Sequence, residues 1–150
     1  MENSDKTVPF RSKQEIEQFV KAFEACTLPH GLWTHQAHLT VGLWYLSRQD
    51  VGEATLSIRY GIQRYNQSCG LPMTKDGGYH ETITLFYIWA IGRYLQETDR
   101  HRSLVGLTKE LLQSPWGDRK LPLTYYSKER LMSWEARTCW IEPDIKPLEE

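Results

Sequence analysis

Cysteine is scarce in this chain of 150 residues: Cys26, Cys69 and Cys139 are odd in number, widely spaced and never set as Cys-x-x-Cys. That argues against a disulfide framework and against a cysteine-based zinc module. Long apolar runs are also missing. The longest, residues 85–92, falls far short of the ~20 residues that span a bilayer. Neither sign of charge is in excess: the net charge is −1, so no global field draws the chain to nucleic acid or to an anionic membrane. No basic stripe interleaved with aromatics is present, as a nucleic-acid surface needs. Walker and dinucleotide glycine motifs are absent, as is a G-x-S-x-G elbow. The opening Met1-Glu2-Asn3-Ser4-Asp5 lacks the basic-then-apolar pattern of a secretory signal. The expectation is a soluble, cytoplasmic protein with neither nucleic acid nor membrane as partner.

What is present is aromatic. Six Trp, eight Tyr and four Phe bring aromatics to 12% of a chain that is 40% hydrophobic. This composition argues against disorder and suits a core with room for a lined cavity. The length fits one domain, 1–150, able to bury a real core. Residues 1–11 and 143–150 are polar or Pro-containing and read as extended or flexible ends.

The spacing of apolar residues is helical throughout. Ser12-Lys13-Gln14-Glu15 has the form of a capping box, and Ile16, Phe19, Val20 and Phe23 follow at helical intervals. Thr34 can cap a second helix reaching about residue 49, apolar almost all round and so central. Asp50 opens a third, ending at Gly70. A fourth is expected over 79–97 and a fifth over 104–113, joined by the polar stretch 98–102. After the irregular segment 114–126, Ser127 can cap a last helix to about residue 140. No alternating strand pattern or repeat competes. The fold class is all-α, a single-domain bundle of five or six helices.

The chemistry gathers in Trp33-Thr34-His35-Gln36-Ala37-His38-Leu39 and Gly77-Gly78-Tyr79-His80-Glu81-Thr82. His35 and His38 lie three residues apart and project from one helix face. Gly42, on the same face, leaves space beside them. His80, opening the fourth helix, is the natural third imidazole, with Thr84, Tyr87 and Ile91 continuing its stripe. Three His ligands make a credible site for a divalent transition metal, zinc first, with iron, nickel or copper as alternatives. Glu81 then serves as general base, fourth ligand or partner to an imidazole. The bland arrangement stands beside this one: His35 bonding backbone in its first turn, His80 pairing with Glu81 or a tyrosine.

Substrate-binding candidates surround these groups. Lys75 with the Gly77-Gly78 backbone can hold an anion at a helix start, or form a plain glycine turn. Tyr79 adjoins them. Arg64 can reach inward from the third helix or stay solvated, and Trp33 is a hydrophobic staple or a pocket wall. Arg130, Glu135 and Arg137, on the last helix, read as surface ion pairs.

WTHQAHLT, GYHETIT and YYSKERLMSWEARTCWIEPDIKPL together resemble a family of small, uncharacterised bacterial proteins, over about residues 32–148. The resemblance implies an intracellular bacterial protein whose recurring words include His35, His38, His80 and Glu81. It brings no activity, substrate or cofactor with it. In layout alone, a helical bundle with histidines on separate helices is similar to the DinB-like metal-binding bundles, and layout does not carry function.

The leading expectation is a metal-dependent enzyme, hydrolytic rather than redox, acting on a small polar molecule. Two alternatives remain: a metal-free small-molecule-binding module, and a helical oligomerisation protein, with a homodimer as its assembly.

Overall fold

The computed structural model describes residues 10–99 and 102–149, and every regular element among them is helical. Helix α1 (Lys13–Glu24) begins where Ser12 Oγ accepts the Glu15 N–H at 3.2 Å. It buries Ile16, Phe19, Val20 and Phe23 along one face, and Cys26, two residues past its end, closes the turn with φ +61°. A single 3-10 turn (His30–Leu32) leads to α2 (His35–Leu46), capped by Thr34. Asp50 caps α3 (Val51–Ser68), and Gly70 takes up the left-handed conformation after it.

Helix α4 (Glu81–Glu97) has an unusual cap, the imidazole of His80, and α5 (Leu104–Gln113) is capped by Ser103. The remainder is short. A 3-10 turn (Pro115–Gly117) precedes α6 (Pro122–Tyr125), α7 (Lys128–Leu131) and α8 (Trp134–Thr138).

Helix α2 shows why its sequence is apolar on every side. It is packed by α1, α3, α4 and α5, and buries residues from Ala37 to Tyr45 with His38 the exception. One core cluster joins α1, α2 and α3 through Phe23, Val41 and Tyr65, and a second joins α2, α4 and α5 through Leu43, Ile91 and Leu111. A third sets α4 against the C-terminal segment through Phe86, Tyr126 and Ile141. The bundle is therefore built around α2 and α4. Among the described residues no helix is long and apolar enough to cross a membrane.

The single last helix expected over 127–140 is broken in two. Ser133 Oγ donates to the Arg130 carbonyl at 2.7 Å and accepts the Ala136 N–H at 3.1 Å, ending α7 and starting α8 with one side chain. The C-terminal end is docked rather than loose as far as residue 149. Ile145 N–H donates to the Tyr125 carbonyl at 2.8 Å, and the Trp89 indole N–H donates to the Glu149 carbonyl at 2.9 Å. At the other end, residues 1–9 of the expected lead-in lie outside the described residues, while Phe10 packs edge-on against Phe19. Residues 100 and 101 of the 98–102 link also lie outside them.

Candidate functional site

Thr34 fixes the start of α2 and so the direction of the two histidines in its first turn. His35 Nε2–H donates to the Gly117 carbonyl at 2.9 Å, tying α2 to the 3-10 turn beyond α5. Its ring meets Tyr87 edge-on, 5.2 Å between centroids. His38 Nδ1–H donates to the Thr34 carbonyl at 2.8 Å. A carbonyl only accepts, so this bond fixes the tautomer and leaves Nε2 with the lone pair. That nitrogen makes no hydrogen bond among the described residues. Trp33 lies over the His38 ring, tilted by 32° with centroids 3.9 Å apart, and stacks on Phe23 at 4.7 Å, so the imidazole is held beside the core.

His38 is exposed, and the ring lines a cavity. The cavity, about 330 Å³, lies between α2, α3 and α4 and is lined by His35, His38, Gly42, Ile62, Thr84 and Tyr87, with further isoleucines around them. A Cβ at Gly42 would come within 2.9 Å of Ile91 Cδ1, so the end of that side chain would have to shift. Burial lowers the His38 pKa to about 4; the Thr34 carbonyl opposes the shift and His35 adds to it. The ring is therefore neutral around pH 7.

A second chamber of about 310 Å³ shares His38, Ile62, Ile83 and Thr84 with the first, and reaches Asn66, Gly77 and Arg137. The turn after α3 shapes it. Gly78 has φ +86°, and a Cβ there would lie 2.5 Å from the Pro72 carbonyl oxygen, so only glycine fits. Arg137 Nη1 donates to the Gly78 carbonyl at 3.1 Å and to the Tyr79 carbonyl at 3.3 Å.

Several expected roles change in this geometry. His80 Nδ1 accepts the Ile83 N–H at 3.1 Å and its Nε2–H donates to the Leu131 carbonyl at 2.8 Å. Both ring nitrogens are committed, so no lone pair is left for a metal ion. Burial lowers its pKa, against the Leu131 bond and with the nearby Arg137 charge. His80 is thus a neutral cap and strut. Among the described residues no group of three or more His, Cys, Asp or Glu side chains is arranged to hold an ion.

Glu81 is likewise occupied. Arg59 grips both carboxylate oxygens, at 3.1 and 2.7 Å, and the Tyr79 hydroxyl donates to Oε1 at 2.5 Å. Burial alone raises its pKa, but these donors outweigh it and the net shift is downward. The ionised carboxylate clamps α3 to α4 and orients no imidazole, so it is not placed as a general base. Tyr79 lines the second chamber, with its hydroxyl turned to that clamp.

Lys75 is exposed and lines neither chamber. Gly77 and Gly78 do border the second chamber, but the turn offers its Gly78 carbonyl to a guanidinium rather than a row of N–H groups to an anion. Arg64 is exposed and also lines neither chamber. Trp33 backs His38 without lining the cavity itself. Sequence reasoning missed Arg137 and gave Asn66 no role, although with His80 they are the buried polar residues lining the second chamber. The phase of Arg137 depends on the break at Ser133, which a continuous last helix conceals.

Comparison of the chain with protein-family models, with curated proteins and with solved structures finds no match.

Proposed function

We propose that this protein binds a small molecule in the paired chambers between α2, α3 and α4, with His38 Nε2 accepting a hydrogen bond from the ligand. One observation carries the reading: a neutral imidazole of fixed tautomer presents accessible surface to both chambers, while His35 is bonded to the Gly117 carbonyl and His80 is fully satisfied. A cavity of about 330 Å³ falls in the range of small-molecule sites, and mostly apolar walls with few convergent polar groups are their usual lining.

The test is a fragment screen read at the imidazole nitrogens by NMR, with His38→Phe as the control. Phenylalanine keeps the stack on Trp33 and removes the acceptor. Fragments carrying an apolar body and one donor are expected to shift the His38 ring signals and to bind the variant about tenfold more weakly, the loss of one hydrogen bond. A library in which no compound moves the His38 signals would sink the proposal.

A second reading keeps the divalent transition metal. Its support is that His38 has the arrangement of a ligating imidazole, Nδ1–H held by a backbone carbonyl and Nε2 open to the cavity. That reading expects near-stoichiometric metal by elemental analysis of tag-free protein, lost in His38→Ala. Metal content unchanged by the substitution would remove it.

A further inference from the structure

The second chamber contains a cation without a counter-charge. Arg137 is only 6% exposed and forms no ion pair among the described residues. Its Nη1 is used by the carbonyls of Gly78 and Tyr79. Its Nε is sealed from water with no acceptor, and Nη2 has no hydrogen-bond partner among the described residues. Buried charges in proteins are paired or bonded on all sides, because an unpaired one is expensive. His80, a titratable neighbour, is neutral and adds no negative charge. Asp76, the one carboxylate lining the chamber, is exposed and does not pair with Arg137.

Asn66 points the same way. It is 9% exposed, lines the same chamber, and its side-chain amide makes no hydrogen bond among the described residues. The amide of Asn66 is not sealed from water as Arg137 Nε is, and a ligand that accepts from a guanidinium N–H and an amide N–H together would bond both residues from one chamber.

We propose that Arg137 and Asn66 hold the oxyanion of the ligand, a carboxylate or a phosphate monoester, whose apolar body extends past His38 into the first chamber. The proposal rests on the reading of those chambers as a small-molecule site. Arg137 leaves Nη2, which is not sealed as Nε is, to donate a charged hydrogen bond to the anion. The two chambers adjoin at His38, Ile62, Ile83 and Thr84, and the proposed ligand lies across those residues. The ligand class is thus a short amphipathic anion.

Three probes of equal chain length separate the possibilities: hexanoate, hexyl phosphate and hexan-1-ol, titrated into the full chain by calorimetry with the His38 ring signals followed by NMR. At least one anion is expected to bind about tenfold to a hundredfold more tightly than the alcohol, as a charged hydrogen-bond pair gives. The better anion names the oxyanion. Arg137→Lys keeps the charge and loses the fork; it is expected to weaken that anion about tenfold while leaving the alcohol unchanged.

Equal affinity for anion and alcohol, with His38 shifted by both, overturns the oxyanion assignment and leaves the small-molecule reading standing. Anion binding that moves the Arg137 Nε signal and not those of His38 overturns the ligand's course past His38. If none of the three binds, the oxyanion assignment falls, and the fragment screen alone decides the small-molecule reading. The comparison among probes on the unaltered protein decides the matter even if Arg137→Lys does not fold.

Discussion

His80→Ala is expected to be the most destabilising of the histidine substitutions, by about 3 kcal/mol in urea titration. The side chain is 8% exposed and both its nitrogens bond to backbone. Losing the cap leaves the Ile83 N–H without its acceptor, worth about 1 kcal/mol. Losing the donor strands the Leu131 carbonyl beside a vacated space, which adds about 1–3 kcal/mol. His80→Asn separates these contributions, since asparagine caps well but does not span the distance to Leu131. It should recover roughly the first kilocalorie and no more.

The damage should also be local. Leu131 ends α7, and the segment it anchors carries Tyr126, Ala136 and Ile141 of the third core cluster. Near-UV circular dichroism and hydrogen exchange should loosen there first, with or without a chelator in the buffer. A loss below 1 kcal/mol, or one matched by His35→Ala, would mean that the strut is unimportant.

How far the sequence reaches can be seen at three histidines. The helices were legible because their signals are local: Ser12, Thr34, Asp50 and Ser103 each sit before an apolar run and each caps its helix. The encirclement of α2 was legible too, since only a central helix has apolar residues on every side. His35 and His38 were placed on one face by spacing alone, and both line the cavity.

His80 was not legible. Its acceptor Leu131 lies 51 residues away, and no local pattern distinguishes a histidine that caps from one that ligates. Glu81 was hidden for the same reason: its partner Arg59 lies on another helix, 22 residues back. Arg137 was obscured by a smaller feature. Ser133-Trp134-Glu135 contains a cap signal, but it falls inside a run that Ser127 had already opened. Reading the run as one helix sends Arg137 to the surface, whereas the break at Ser133 turns it under the Gly78 turn.

The second large effect is in acid, and its direction follows from His38. An ordinary histidine titrates near 6.5, whereas burial brings His38 down to about 4. Between those values the unfolded chain binds a proton that the folded protein refuses. Stability therefore rises with pH across that window, and falls as pH drops from 6.5 toward 4. Above 6.5 both states are neutral and the group contributes no slope; below 4 both are charged and the slope vanishes again. A shift of this size corresponds to at most about 3 kcal/mol. Water in the cavity screens the charge, so about 1–2 kcal/mol is the expected loss.

His80, lowered by burial as well, acts in the same direction. Glu81, held below its ordinary 4.5 by Arg59 and Tyr79, gives stability that persists until more acid conditions. The histidine arm is thus the first to appear on acidification. Ring NMR should show His38 titrating near 4, and His38→Gln should flatten the dependence of urea midpoint on pH between 6.5 and 4. A His38 that titrates near 6.5 would contradict a neutral imidazole at the cavity wall, and with it the acceptor on which ligand binding is argued.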